Sequence, residues 1–166
     1  ALLAEGMQIM PTPPIGIVAP AGATWMSIED MARYVIMQMN GGVTADGTRL
    51  VSAETLAATW EPGVAMPETA PGIADTAYGM GWVTQTYADV PIRFHDGGWA
   101  GFSTQMAIYP EDDAAVIVFS NASVGQLFGQ TLVYAFPELL HDLEPTAVDF
   151  MHGMMDDITF QIDQAR

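Results

Sequence analysis

The chain has 166 residues, of which 50% are hydrophobic and 16 are glycine, a composition typical of one globular unit or of one lobe of a larger protein. Its formal net charge of −16 excludes nucleic acid and anionic membrane surfaces as partners that basic patches would recognise. The chain has neither cysteine nor lysine, so a mechanism that needs a Cys nucleophile or a Lys base must take it from outside these residues.

Residues 1–26 are rich in proline and small apolar side chains, with Pro13, Pro14 and Pro20 among them. Because proline fixes φ and carries no amide hydrogen, this stretch predicts an extended lead-in rather than a regular helix. The chain opens on Ala1 rather than on Met, so we expect the lead-in to continue from a missing N-terminal part. No apolar run reaches the roughly 18 residues that a membrane span needs.

Two helices are predicted next. Ser27, with acidic residues two and three positions later, is typical of a helix N-terminus. Apolar side chains at three-to-four spacing continue that helix to about Asn40. Ser52 would cap a second, shorter helix that ends near Trp60. Residues 61–75 are rich in Pro, Gly, Ala and Thr and predict a long loop.

Four strands are predicted in the second half of the chain. The third alternates two sets of side chains along its length, the period of two that marks a sheet with different surroundings on its two faces. Because short connections join consecutive strands, the pattern predicts an antiparallel meander. The strands are expected at residues 78–86, 92–95, 102–109 and 114–120.

Helices are predicted after the last strand, from about residue 124 to 140 and again from 146 to 164. The predicted fold class is therefore α+β, an antiparallel sheet flanked by helices. Residues 27–140 would form the domain proper, and residues 141–166 a helical tail or linker. An apolar stripe begins at Val148 in the last helix. We expect the stripe to cover the core of its own domain, with docking against another subunit as the alternative.

The segment best suited to chemistry runs from His95 to Phe102. Its three glycines remove Cβ atoms where another group must approach the backbone closely or where φ must be positive. Peptide N–H groups at such a strand edge can stabilise a developing oxyanion, with a loss of about 3–4 kcal/mol when one donor is removed. The structural alternative is a tight bulge beside Trp99, with a hydrogen-bonded histidine at the strand end.

His141 and His152 lie near several aspartates in the sequence, which raises a metal site as one interpretation. Their spacing matches no strong ligand pattern, so we expect solvent-exposed helix residues instead. We predict no metal site and no cofactor.

Five segments in order resemble the C-terminal half of the serine β-lactamase-like family, which includes class C β-lactamases, penicillin-binding proteins and related esterases. The most specific are the strand motif Tyr-Gly-Met-Gly-Trp at residues 78–82 and the motif His-x-Gly-x-x-x-Gly-Phe at residues 95–102. The resemblance extends from about residue 15 to 140 and implies part of the β-lactamase/penicillin-binding-protein fold. The other three segments are residues 19–22, 27–34 and 110–121.

The resemblance implies a role for each residue of the His-x-Gly strand. His95 stands where the basic residue of the third catalytic motif stands, Gly97 closes the triplet, and the amide of Gly98 would be the second donor of the oxyanion hole. Among substrate-binding residues, Trp99 would form part of the wall of the acyl pocket, with a place in the core as the alternative. Asp96 adds negative charge and disfavours a strongly anionic substrate.

The family's motifs Ser-x-x-Lys and Tyr-x-Asn are absent from these residues. Both normally precede the His-x-Gly strand. We therefore expect this chain alone to be inactive. The complete protein would be a serine hydrolase that forms an acyl-enzyme with an ester or amide substrate. A non-catalytic module of the same fold, kept for binding or assembly, is the alternative.

The partners expected from this interpretation are a small-molecule ester, amide or peptide-like substrate and an N-terminal half in the same or another chain. A homo-oligomer is a further option, because sheet edges without partners tend to associate. The family resemblance favours a periplasmic or secreted location.

Overall fold

The computed structural model describes residue 11, residues 13–122 and residues 124–164, so most of the predicted lead-in, residues 1–10 and 12, lies outside the described residues. Its described end contains a 3-10 turn at Gly16–Val18 and a one-turn helix α1 at Ala19–Gly22. The prediction of extended chain is wrong there. Pro20 stands in the first turn of α1, where a helix needs no amide donor from that residue.

The two predicted helices with serine caps are confirmed as α2 (Ile28–Met39) and α3 (Ala53–Thr59). In each, the hydroxyl of the capping serine accepts a hydrogen bond of 3.1 Å from the amide three residues later. These bonds satisfy one of the donors that a helix start leaves without a partner. The caps of α2 and α3 are Ser27 and Ser52.

A six-stranded antiparallel sheet forms the centre of the molecule, with its strands side by side in chain order. The predicted α+β class with an antiparallel sheet and flanking helices is therefore confirmed. The strands are β1 (Val64–Ala65), β2 (Ile73–Tyr78), β3 (Val83–Tyr87), β4 (Val90–Trp99), β5 (Phe102–Tyr109) and β6 (Ala114–Ser120).

The last two predicted strands match β5 and β6, while the first is wrong as one strand. The predicted strand 78–86 is the end of β2, a turn at residues 79–82 and most of β3. The amide of Gly79 donates to the carbonyl of Trp82 at 2.8 Å, and Gly81 has a φ of +83°. These two glycines therefore reverse the chain where an unbroken strand would need extended backbone.

Helices cover both faces of the sheet. On one face, α4 (Gly125–Leu140) packs over β5 and β6, and its Val133 joins the core that contains Ile92 and Tyr109. On the other face, Val35 of α2 packs with Trp82 and Ile108. The sheet lies between two apolar layers, which fixes its position and the direction of β4.

A buried carboxylate ties the last helix, α5 (Thr146–Gln164), to α4. Oε1 of Glu138 accepts hydrogen bonds from the hydroxyl of Tyr87 at 2.6 Å and from three donors in the first turn of α5, each at 2.9 Å. Those three donors are the amide and hydroxyl of Thr146 and the amide of Ala147. Glu138 thus acts as the N-terminal cap of a neighbouring helix.

The apolar stripe of α5 contributes less to the core than expected. Ala147 at its start is buried, but Val148, Met155 and Ile158 are each more than a third exposed. Met151, one turn after Ala147, is half-buried, so the stripe covers its own core only in part. Among the described residues, no helix is long and apolar enough to cross a membrane.

Candidate active site

Strand β4 extends past its neighbour β3. Its pairing with β3 ends at Phe94, opposite Val83, whereas its pairing with β5 continues to Trp99, opposite Phe102. Residues 95–99 therefore have a strand partner on one side only. We call the other side of residues 95–99, which pairs with no strand in the described part of the chain, the open edge of β4.

The hairpin that joins β4 to β5 determines which amides face the open edge. Its two-residue turn has φ values of +50° at Ala100 and +87° at Gly101, as a type I′ turn requires. Such a turn is closed by a hydrogen-bonded pair, here Trp99 and Phe102. Because these pairs alternate along an antiparallel ladder, Gly98 turns its N–H away from β5.

The hairpin at the other end of β4 leads to the same assignment. Its two-residue turn, Ala88 and Asp89, also has positive φ at both positions, so Tyr87 and Val90 close it as a hydrogen-bonded pair. Counting along β4, every even-numbered residue bonds toward the β3 side. The amides of Asp96 and Gly98 therefore face the open edge, and Gly98 is exposed.

His95 is held at the open edge through both ring nitrogens. Nδ1 lies 2.6 Å from the carbonyl oxygen of Asp96, and Nε2 lies 3.1 Å from the hydroxyl of Tyr78. Because a carbonyl oxygen only accepts, Nδ1 donates, and in the neutral ring Nε2 then accepts from Tyr78. The two rings also meet edge to face, with centroids 5.9 Å apart.

The predicted site residues divide between the two faces of the sheet, because successive side chains of a strand point in opposite directions. His95 and Trp99 point to the face that α2 covers, and Gly97 is the residue between them on that face. Asp96 points to the other face, where its carboxylate accepts a hydrogen bond from Nε2 of Gln126 in the first turn of α4. The carboxylate of Asp96 therefore does not share a face with His95.

The glycines of the motif differ in how tightly they are packed. A Cβ on Gly97 would lie 2.9 Å from Oγ1 of Thr104, closer than real Cβ contacts. A Cβ on Gly98 would lie 3.5 Å from Oε1 of Gln126, which is ordinary contact. Gly97 is therefore needed because Thr104 packs closely against its Cα. Gly98 differs from it in that its N–H faces the open edge of β4.

An aromatic pair lies next to Trp99 at the tip of the β4–β5 hairpin. The rings of Trp25 and Phe102 meet edge to face with centroids 5.8 Å apart, and both side chains are partly exposed. Phe102 is the ladder partner of Trp99 and shares its face. We did not anticipate Trp25 or Tyr78 as site residues. Tyr78 lies inside the motif Tyr-Gly-Met-Gly-Trp, but only the register of the sheet places its hydroxyl beside His95.

The described arginines find their partners elsewhere. Arg33 pairs with Asp30, and Arg49 donates to the carbonyls of Gly41 and Val51. Arg93 is half-buried on β4, and burial lowers the pKa of its guanidinium although Glu61 opposes the shift. In the described part of the chain, no arginine makes a hydrogen bond to residues 95–99. Arg93 lies two residues before His95 on the same face of β4, and its Nε has no hydrogen-bond partner among the described residues.

Two other features lie apart from this edge. A cavity of about 490 Å³ lies between α4, α5 and the loop before β2, and none of the predicted site residues lines it. Nε2 of His141 lies 3.0 Å from a carboxylate oxygen of Asp112. The described residues contain no group of three or more His, Cys, Asp or Glu side chains that could hold a metal ion.

Comparisons with known proteins agree with this architecture. A family model described as Beta-lactamase matches residues 3–135. An unguisins hydrolase of Aspergillus campestris is 28% identical over 89% of this chain and 27% of its own length. Penicillin-binding protein 4 of Amycolatopsis lactamdurans is 29% identical over 75% of this chain and 32% of its own length. The chain thus spans about a third or less of these relatives.

A solved structure shares the fold. The octameric penicillin-binding protein homologue from Pyrococcus abyssi superposes with a TM-score of 0.57 at 21% sequence identity. The match covers 72% of this chain and 25% of the other. At that identity the likeness concerns the fold, and the chain again corresponds to a part of a longer protein.

Proposed function

This chain belongs to the beta-lactamase family, and from that premise we propose that it is the part of a serine hydrolase that carries the His-x-Gly strand and one donor of the oxyanion hole. The observation that carries the proposal is the open edge of β4. There the ladder turns the amide of Gly98 away from β5, beside a histidine whose ring is held through both nitrogens.

The proposed reaction is acyl transfer to a serine that lies outside these residues. The serine oxygen attacks the carbonyl carbon of the substrate, and the carbonyl oxygen becomes an oxyanion that the amide of Gly98 stabilises. Collapse of this intermediate expels an alcohol or an amine and leaves an acyl-enzyme. Water then attacks the ester carbonyl and releases the acid. His95 would orient the catalytic hydroxyl groups, Gly97 would let the substrate approach closely, and Trp99 would form a wall for the acyl group.

The substrate proposed is a small ester, amide or peptide-like molecule without a strong negative charge. Support comes from the net charge of −16, which disfavours the approach of an anion. The aromatic surface formed by Trp25 and Phe102 beside Trp99 favours an apolar acyl group. An ester or peptide bond fits this chemistry as well as a β-lactam does.

The remaining parts of the machinery are proposed to come from an N-terminal half in the same or another chain. Residues 27–140 would then be the C-terminal portion of the catalytic domain, with residues 1–26 as its lead-in and residues 141–166 as a helical tail. The Pyrococcus homologue is described as octameric, so we also keep a homo-oligomer among the proposed partners. A periplasmic or secreted location follows from the resemblance alone and stays part of the proposal.

A labelling experiment tests the proposal. The natural full-length protein is treated with a fluorophosphonate or a penicillin probe, and mass spectrometry identifies the modified residue. We expect one labelled serine within a Ser-x-x-Lys motif. His95→Ala should slow labelling, and a melting temperature close to that of the wild type shows that the variant is folded. A folded full-length protein that no acylating probe labels would contradict the proposal.

A second candidate is a non-catalytic binding or assembly module with the same fold. The observation that favours it is the complete lack of lysine, since without lysine these residues contain no Ser-x-x-Lys motif. The same experiment separates the two candidates. A natural protein without that motif, and without labelling, would support the module.

A further inference from the structure

We infer that Tyr78 is a positioning residue for His95: its hydroxyl holds the imidazole ring as the tautomer with hydrogen on Nδ1, at the open edge of β4. The hydrogen-bonding arrangement stands on the geometry of two side chains and one carbonyl. Its use in catalysis rests on the proposed function.

The tautomer follows from the two contacts of the ring. The carbonyl oxygen of Asp96 lies 2.6 Å from Nδ1 and can only accept, so the ring hydrogen is on Nδ1. In the neutral ring the Tyr78 hydroxyl, 3.1 Å from Nε2, then donates to the lone pair of that nitrogen. Without this hydroxyl, Nε2 would be free to accept from water, and the ring could turn away from the Asp96 carbonyl and then carry its hydrogen on Nε2.

The backbone of Tyr78 is fixed from both sides, so its hydroxyl is offered from a defined position. Tyr78 pairs with Val64 of β1 and with Val83 of β3. A Cβ on Gly63 would lie 2.3 Å from the carbonyl oxygen of Tyr78, and a Cβ on Gly79 would lie 2.5 Å from the carbonyl oxygen of Glu61. Only glycine permits such approaches of backbone to backbone. The strand end that carries Tyr78 is therefore closely packed.

The tyrosine ring also packs edge-on against the histidine ring, which a purely structural role would explain. A phenylalanine would keep that contact, because its ring has the same size as the tyrosine ring. Tyr78 is 40% exposed, so most of its surface is covered and the ring should stay in place. The hydroxyl alone distinguishes positioning of His95 from packing. Tyr78→Phe is accordingly the variant that separates the two roles.

The test is a long-range ¹H–¹⁵N correlation spectrum of the ¹⁵N-labelled protein, in which protonated and unprotonated ring nitrogens have different shifts. In the wild type we expect His95 to be protonated on Nδ1, with Nε2 unprotonated. His141, whose Nε2 faces the carboxylate of Asp112, provides a reference signal for a protonated Nε2. His95→Gln assigns the signals of His95 by their loss.

In Tyr78→Phe we expect the Nε2 shift of His95 to move, and part of the ring population to turn away from the Asp96 carbonyl and change tautomer. Tyr34→Phe is the matched control, because Tyr34 is 38% exposed on α2 and should leave the His95 signals unchanged. Unchanged His141 signals show that the variants are folded. Hydrogen on Nε2 of wild-type His95, or identical His95 signals in Tyr78→Phe, would overturn the inference.

The catalytic part has its own readout. In the full-length protein, Tyr78→Phe should slow serine labelling by about 10- to 100-fold, as expected when a reacting group is misplaced. A shifted tautomer with an unchanged labelling rate would overturn the role of Tyr78 in the reaction. If wild-type protein is not labelled at all, the proposed function fails while the tautomer result still decides how His95 is positioned.

Discussion

Gly98 lies directly opposite Ser103 across the β4–β5 ladder, as a pair whose backbone groups do not bond to each other. A hydrogen bond from the N–H of Gly98 to another acceptor would therefore break no hydrogen bond of the sheet. A strand interior would have used this donor for its own ladder. The arrangement supplies a backbone donor at a fixed position without a side chain that needs ordering.

The first expectation concerns that donor. Gly98→Pro removes the N–H but breaks no ladder bond, and proline is tolerated at an open strand edge. Gly98→Ala keeps the N–H and adds a Cβ in ordinary contact, 3.5 Å from Gln126. In the full-length protein, Gly98→Pro should be labelled by a fluorophosphonate about 10²- to 10³-fold more slowly than Gly98→Ala. Equal rates for two variants with equal melting temperatures would refute the assigned role.

A second expectation compares two helical glycines. A Cβ on Gly129 in α4 would lie 2.6 Å from Cγ of the buried Gln105, whereas a Cβ on Gly153 in α5 would meet no atom within 4 Å. Gly129→Ala should lower the free energy of unfolding by about 1–3 kcal/mol through overpacking. Gly153→Ala should raise it by about 0.5–1 kcal/mol through helix propensity. Urea denaturation measures both, and shifts in the same direction would contradict the packing described for α4.

Glu138 is the subject of a third expectation. Glu138→Ala removes the acceptor of four hydrogen bonds and should lower the free energy of unfolding by about 2–4 kcal/mol. Glu138→Gln keeps one side-chain oxygen and should lose less. Hydrogen exchange at the first turn of α5 provides the local readout, since the amides of Thr146 and Ala147 donate to this carboxylate. The cap assignment fails if exchange there is the same in both variants and in the wild type.

The fourth expectation is a loss of stability at alkaline pH. Burial raises the pKa of Tyr109 above its usual value of about 10, and its hydroxyl donates to the carbonyl of Val133 at 2.6 Å. Above about pH 10 the unfolded chain loses a proton that the folded chain keeps, so the folded state binds more protons. The contribution of Tyr109 is complete below about pH 10 and is lost as pH rises toward its folded pKa, by about 1.4 kcal/mol per pH unit.

Urea unfolding between about pH 9 and pH 11 checks this sign. Tyr109→Phe lacks the titrating group, so its free energy of unfolding should fall less steeply with pH than that of the wild type. Tyr134, whose pKa burial also raises, remains in both proteins and accounts for a shared slope. Identical slopes in the two proteins would mean that Tyr109 is not protected from ionisation.

Local sequence patterns predicted the elements that carry an uninterrupted periodic pattern or a clear helix cap. The alternating side chains of β5 and the β-branched run of β6 gave the correct strands, and two serines marked the starts of α2 and α3. The prediction of one strand at residues 78–86 failed, because glycines 79 and 81 turn the chain. The two-residue strand β1 lies in a stretch predicted as a loop, and so short an element leaves no periodic signal.

The candidate site was only partly readable from the sequence. The glycines and histidine of residues 95–98 pointed to the strand that has the open edge, and the period of two could already have separated Asp96 from His95. The contact between Tyr78 and His95 depends on the registers of β2 with β3 and of β3 with β4. A bulge in the first of these registers sits between Ala74 and Ala77. The combined register of three strands and a bulge cannot be predicted from a local sequence pattern.

The turn at Ala100 and Gly101 has a mechanical consequence. Residues 95–99 pair with a strand on one side only, so the position of their amides depends on how rigid the tip of the β4–β5 hairpin is. Inserting one or two residues into the turn at Ala100 and Gly101 would make the hairpin tip more mobile without changing any side chain at the open edge. The length of this turn would thus change how selectively the open edge of β4 binds a ligand, although the turn itself lies outside that edge.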